Sequence, residues 1–153
     1  TFRGNPASNG SGFFADGGPH AVDACLWLTG SPVHRPSLSL LTCDSSESDL
    51  YTTLPMRLKS GVLCSLICVG DSPVPRNFGF HIYGETGVIH MRWNDRVSFD
   101  NASMATSGSA ASNFIDTIMG RATPVITAQN GLHQVAVTEA TYHSARHGIP
   151  VEC

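Results

Sequence analysis

At 153 residues the chain has the length of one ordinary domain, and a hydrophobic fraction of 41% is enough to build a core, which excludes a disordered chain. A formal net charge of -3 with only 14% charged residues leaves no basic face, so nucleic acid is not an expected partner. No apolar run reaches the roughly 18 residues of a membrane span and no signal-peptide pattern is seen, so a cytoplasmic protein that does not bind membranes is expected.

A glycine-rich lead-in with Gly10 and Gly12 runs into Asp16-Gly17-Gly18-Pro19-His20. Gly17, Gly18 and Pro19 predict a tight turn, and the following helix covers 20–29, with Ala21, Cys25 and Leu28 as its apolar row and Gly30 as its stop. Strands are predicted near 33–42, 49–59, 62–70, 77–83, 87–93 and 96–100. Ser60-Gly61 predicts a tight hairpin, Glu85-Thr86 a second one between Gly84 and Gly87, and Asp71 to Asn77 a longer loop around Pro73 and Pro75. The small-residue stretch 102–112 reads as a mobile loop, followed by a helix over about 112–119 that ends at Gly120. A last helix covers 128–147 between Thr127 as N-cap and Gly148 as stop, its row of Leu132, Val135, Ala136 and Glu139 expected to pack on the sheet. Residues 149–152 read as a short edge strand. Adjacent strands with helices gathered elsewhere define an α+β fold with a largely antiparallel sheet. Leu63, Ser65 and Ile67 alternate with Val62, Cys64, Leu66 and Cys68, so both faces of this strand are mostly apolar and the face without helices calls for a partner.

Asp16 and His20 are the residues with the clearest chemistry. In the first turn of a helix the dipole favours a neutral imidazole, which donates or accepts a proton near neutral pH, and Asp16 just upstream is within reach of one ring nitrogen. The same spacing also describes a capping or turn carboxylate beside a partly buried histidine. His143 and His147 lie four apart on the last helix with no third ligand, and His81 faces His90 across the Glu85-Thr86 hairpin with no carboxylate to join them; no metal site is expected at either. Arg3 and Asn5 precede the lead-in and are candidates to read hydroxyl groups. The five cysteines, Cys25, Cys43, Cys64, Cys68 and Cys153, include no Cys-x-x-Cys, and Cys64 and Cys68 share a strand face at roughly 13 Å, too far to bridge. No disulfide framework is expected.

Over nearly its whole length the chain resembles the C-terminal domain of the Gfo/Idh/MocA oxidoreductases, the family of glucose-fructose oxidoreductase and inositol dehydrogenase. The resemblance rests on Asp16, His20 and Asp23 as Asp-x-x-x-His-x-x-Asp after the glycine-rich lead-in, then Trp27-Leu28-Thr29-Gly30. Later landmarks are Arg57-Leu58-Lys59-Ser60-Gly61-Val62, Ile82-Tyr83-Gly84-Glu85-Thr86-Gly87, Asn113 to Ile118 and Ala140 to Val151. It implies an open-faced sheet with helices on one face, packing against a second copy to give a homodimer or higher oligomer. It also implies His20 as the acid/base residue, Asp16 as its partner carboxylate and a structural Asp23.

The full enzymes of that family move a hydride between NAD or NADP and the carbon of a sugar, inositol or related polyol. Here no Gly-x-Gly-x-x-Gly follows an apolar strand, and the family's Glu-Lys-Pro segment is missing. Residues 1–153 are thus expected to be a single C-terminal substrate-binding and oligomerisation domain. The N-terminal Rossmann dinucleotide-binding domain is absent from the chain, which is expected to lack dehydrogenase activity by itself. The other reading is a noncatalytic dimerisation or ligand-binding module that retains the fold.

Overall fold

The computed structural model describes residues 12–36, 39–42, 48–73, 78–92, 97–99, 102–104 and 109–152. Backbone contacts divide the chain into two compact units, Thr1–Asp71 with Ile126–Cys153, and Ser72–Val125.

In the first unit, helix α1 (Phe13–Thr29) is followed by β1 (Val33–Pro36), β2 (Ser39–Thr42), β3 (Asp49–Leu58) and β4 (Leu63–Val69). The long strand β3 pairs antiparallel with β4 on one edge and with both β1 and β2, so the expected strand at 33–42 is two strands. The hairpin from β3 to β4 closes through Lys59, Ser60 and Gly61, with Gly61 at φ 93°, a backbone state that favours glycine. From Thr52 onward β3 buries every second residue: Thr52, Leu54, Met56 and Leu58 point into the core while Thr53, Pro55 and Arg57 are exposed. Helices α1 and α3 (Ala128–His147), the closing helix, pack on each other and against this sheet. The core they enclose centres on Phe14, Val22, Val33, Leu54, Leu58 and Val137.

Helix α3 is bounded as the sequence predicts. Thr127 and Asn130 form a reciprocal capping box, and Gly148 at φ 65° stops it. Its buried face is different from the expected one: Val137, Ala140, Thr141 and Ser144 face inward, whereas Leu132 and Val135 are 62% and 54% exposed. Small residues win that face because they let the helix approach α1 and the sheet closely. Ser144 donates to the carbonyl of Ile149, and 149–152 is not a strand.

In the second unit β5 (Gly79–Tyr83), β6 (Val88–Arg92), β7 (Val97–Phe99) and β8 (Ala102–Met104) form an antiparallel meander. The Glu85-Thr86 hairpin has the predicted register, Tyr83 opposite Val88 and His81 opposite His90. The strand β8 lies within the stretch expected to be a loop. Helix α2 (Ala110–Ile118) carries a Ser109–Ser112 capping box and buries none of its residues. The fold is therefore α+β with antiparallel sheets, as the sequence predicts.

Candidate active site

The N-terminal end of α1 is set by a residue far away in sequence. Asp49, buried at the start of β3, accepts the Phe14 N–H at 2.9 Å, the Tyr142 hydroxyl at 2.8 Å and, more weakly, the Thr52 hydroxyl at 3.4 Å. The Tyr142 oxygen in turn accepts the Ala15 N–H at 3.1 Å. A carboxylate at the positive end of a helix is favourable, and together these bonds satisfy two of the N–H groups that lack an intrahelical partner. Burial, then the bond to the Asp49 carboxylate, pushes the Tyr142 hydroxyl well above the usual tyrosine range, so it keeps its proton and donates.

Two glycines make the clamp sterically possible. A Cβ on Gly12 would lie 1.9 Å from the Asp49 carboxylate, and one on Gly18 would lie 2.2 Å from the Phe14 ring, which is fully buried and meets Tyr142 edge-on at 6.0 Å. Gly12 is the N-cap and the helix runs unbroken from Phe13, with Pro19 inside it. The expected Gly17-Gly18-Pro19 turn is therefore corrected. Pro19 has no N–H to give to Ala15, an interior cost of about 3 kcal/mol, but the buried Phe14, Val22 and Leu26 and the Asp49–Tyr142 clamp outweigh it.

This shifts the chemistry one turn along the helix. Asp16 lies in the first turn, and His20 lies in the second turn instead of the first, beyond the strongest reach of the dipole. The two are at i and i+4, one turn apart on one face, and both are exposed. Asp23 is half-buried on the same helix. Trp27 and Leu28 stay exposed, and Gly30 at φ 60° ends the helix as predicted. Arg3, Asn5, Gly10, Cys43 and Cys153 lie outside the described residues.

His81 and His90 meet at 2.9 Å between their Nδ1 atoms, and the rings of His143 and His147 lie 4.4 Å apart. Among the described residues no group of three His, Cys, Asp or Glu side chains is placed to hold a metal. His133 Nε2 accepts the Val33 N–H at 3.0 Å, which fixes the neutral tautomer protonated on Nδ1. Burial, followed by Lys59, lowers its pKa. Asp49, Tyr142 and His133 went unrecognised because each acts through a partner in another element; no local spacing marks them. Among the described residues no helix is long and apolar enough to cross a membrane.

These elements define a class: an α+β domain with helices on one face of an antiparallel sheet, displaying an aspartate and a histidine on a leading helix anchored to that sheet. A family model described as the GFO/IDH/MocA C-terminal domain matches residues 1–90, more than half of the chain, and the chain belongs to that family. Among solved structures, the aldose-aldose oxidoreductase from Caulobacter crescentus matches all of this chain at a TM-score of 0.83 and 18% identity, over 51% of its own length. The WlbA dehydrogenase from Bordetella pertussis matches 99% of the chain at 0.74 and 24%, over 48% of its length. An oxidoreductase from Agrobacterium radiobacter matches 93% at 0.75 and 15%, over 49%. At these identities the likeness establishes the fold, and the chain spans about half the length of the structures it matches. Curated protein sequences give no significant match.

Proposed function

We propose that this chain is the substrate-binding and proton-transfer domain of a nicotinamide-dependent oxidoreductase that acts on a hydroxyl of a sugar, inositol or related polyol. The observation that carries the reading is the exposed Asp16/His20 pair on the clamped helix α1, in a chain of the GFO/IDH/MocA family. A carbinol that gives up a hydride leaves a proton on its oxygen, so a base within hydrogen-bonding reach is required. His20 takes that proton on one ring nitrogen. Asp16 accepts from the other ring N–H, fixes the tautomer and stabilises the imidazolium that forms. In the reverse direction His20 returns the proton.

The solved relatives were crystallised with glycerol, with NADH and UDP-GlcNAcA, and with NAD+, L-tartaric acid and magnesium. Those ligands support a hydroxylated substrate and a nicotinamide cofactor, NAD or NADP, which supplies the hydride acceptor. The described residues do not fit the cofactor's pyrophosphate. The α1 N-terminus, the one glycine-led helix start among the described residues, already has two of its N–H groups on Asp49 and Tyr142, and the Asp49 carboxylate repels an anion there. In this reading residues 1–153 are the single C-terminal domain, and a separate dinucleotide-binding domain holds the cofactor. The free thiols Cys25, Cys64 and Cys68 favour the cytoplasm. On β4, Leu63 and Ile67 are 78% and 71% exposed beside Val69, an apolar face that supports pairing with a second copy.

The test is the full-length protein with NAD+ or NADP+ and a panel of sugars, inositols and acyclic polyols. Reduced nicotinamide forming with at least one of them is expected, and no turnover across the panel with either cofactor overturns the reading. Sedimentation equilibrium checks the second copy: Ile67→Lys should lower the assembly mass, and a monomeric wild-type protein contradicts the pairing.

A further inference from the structure

Helix α1 lies across β3 and β4, and β4 alternates in exposure, with Cys64, Leu66 and Cys68 turned toward the helices and Leu63, Ser65 and Ile67 turned away. Cys25 sits on α1 beside the buried Leu26, one turn after the buried Ala21 and Val22. Helix α1 packs directly on β4, and the thiols of Cys25 and Cys64 face each other across this helix–strand joint closely enough to act on each other's ionisation. Both are free, and both are only partly shielded from solvent, so a small reagent reaches them. Neither takes part in the chemistry of Asp16 and His20.

We propose that Cys25 and Cys64 are an oxidisable dithiol, a modification site at which hydrogen peroxide drives formation of a reversible disulfide between α1 and β4. The Cys64 sulfur attacks one oxygen of the peroxide. The O–O bond breaks, the departing hydroxide takes the thiol proton as water, and Cys64 becomes a sulfenic acid. The Cys25 sulfur then attacks the Cys64 sulfur, the S–O bond breaks and the hydroxyl leaves with the Cys25 proton as a second water. Two electrons pass from the two sulfurs to the peroxide, and a dithiol reductant reverses the bridge.

The order of attack follows from the site. Cys25 is the more shielded of the pair, so the negative charge rests at lower cost on Cys64; donation from Cys25 lowers the Cys64 pKa, while the same bond and burial raise that of Cys25. Cys68 stands on the same strand face, but burial and then the Asp49 carboxylate push its thiol up to about 11, which disfavours its thiolate. The partners come from two elements already packed together, and the bridge brings the two sulfurs to about 2.05 Å.

The experiment treats the purified folded protein with hydrogen peroxide and maps its peptides without reduction. The expected result is loss of the two thiols, a Cys25–Cys64 cross-linked peptide, and recovery of both thiols with dithiothreitol. C25S should halt at a Cys64 sulfenic acid trapped by dimedone, C64S should slow thiol loss at this pair by about tenfold or more, and C68S should leave the cross-link intact. Retention of both thiols under excess peroxide, or a map that joins other cysteines, overturns the proposal. The wild-type map decides by itself if a variant fails to fold.

Discussion

Helices α1 and α2 become helical by opposite routes. Helix α2 follows local signals, with one Ser109–Ser112 capping box at its start and no glycine or proline inside, yet it buries none of its residues. Helix α1 goes against them, since its N-cap glycine offers no side-chain bond and Gly17, Gly18 and Pro19 occupy its second turn, yet it buries five residues. One helix rests on local chemistry and the other on tertiary anchoring, and the candidate catalytic pair sits on the second kind. A segment whose local preference is overridden by distant contacts is where functional side chains are held in a geometry of the fold's choosing.

The contrast can be broken most forcefully at its two phenylalanines. Phe14 is fully buried, so Phe14→Ala should cost about 3–5 kcal/mol in denaturant unfolding, whereas Phe114→Ala on α2, at 66% exposure, should stay within about 0.5 kcal/mol. Comparable losses at both would remove the distinction. Gly18→Ala comes next: helix propensity alone predicts a gain of about 1 kcal/mol, but the new methyl meets the buried Phe14 ring, and a net loss of about 1–3 kcal/mol is expected. Tyr142→Phe keeps the ring contact and removes the hydroxyl that links Asp49 to Ala15, a loss of about 1–2 kcal/mol readable as a fall in Tm.

The smallest expected effect lies at His133, which links α3 to β1. Its folded pKa is lowered, so the folded state binds fewer protons than the unfolded chain as pH falls below about 6.5. The bond's contribution is fully present above that pH and is lost as pH falls toward the folded value. His133→Gln should flatten this acid limb of a stability–pH curve, and an unchanged limb would show that the bond does not carry it.

Much of the fold was legible where the signal is local. Thr127, Gly148 and Gly30 mark helix ends through capping and positive φ, and Gly84 and Gly87 fix a hairpin register that places His81 opposite His90. The start of α1 was not legible, because the carboxylate that takes up its Phe14 N–H is Asp49, 35 positions further on, and no spacing within Phe13 to His20 encodes that bond. The buried face of α3 escaped for a related reason: apolar Leu132 and Val135 stay outside while small Ala140, Thr141 and Ser144 are chosen by close packing. The contact of Cys25 with Cys64 belongs to the same class. The four-residue spacing of Asp16 and His20 was visible, but their place in the helix was not.

The central claim is that α1 presents His20 as the proton acceptor, and the most direct measurement is steady-state kinetics of His20→Ala in the full-length protein on its best substrate. A fall in kcat of about 10²–10⁴-fold, with KM changed by no more than a few-fold and unfolding stability unaltered, is the predicted result. A kcat within about twofold of wild type would contradict it and leave α1 as a scaffold without a role in the chemistry.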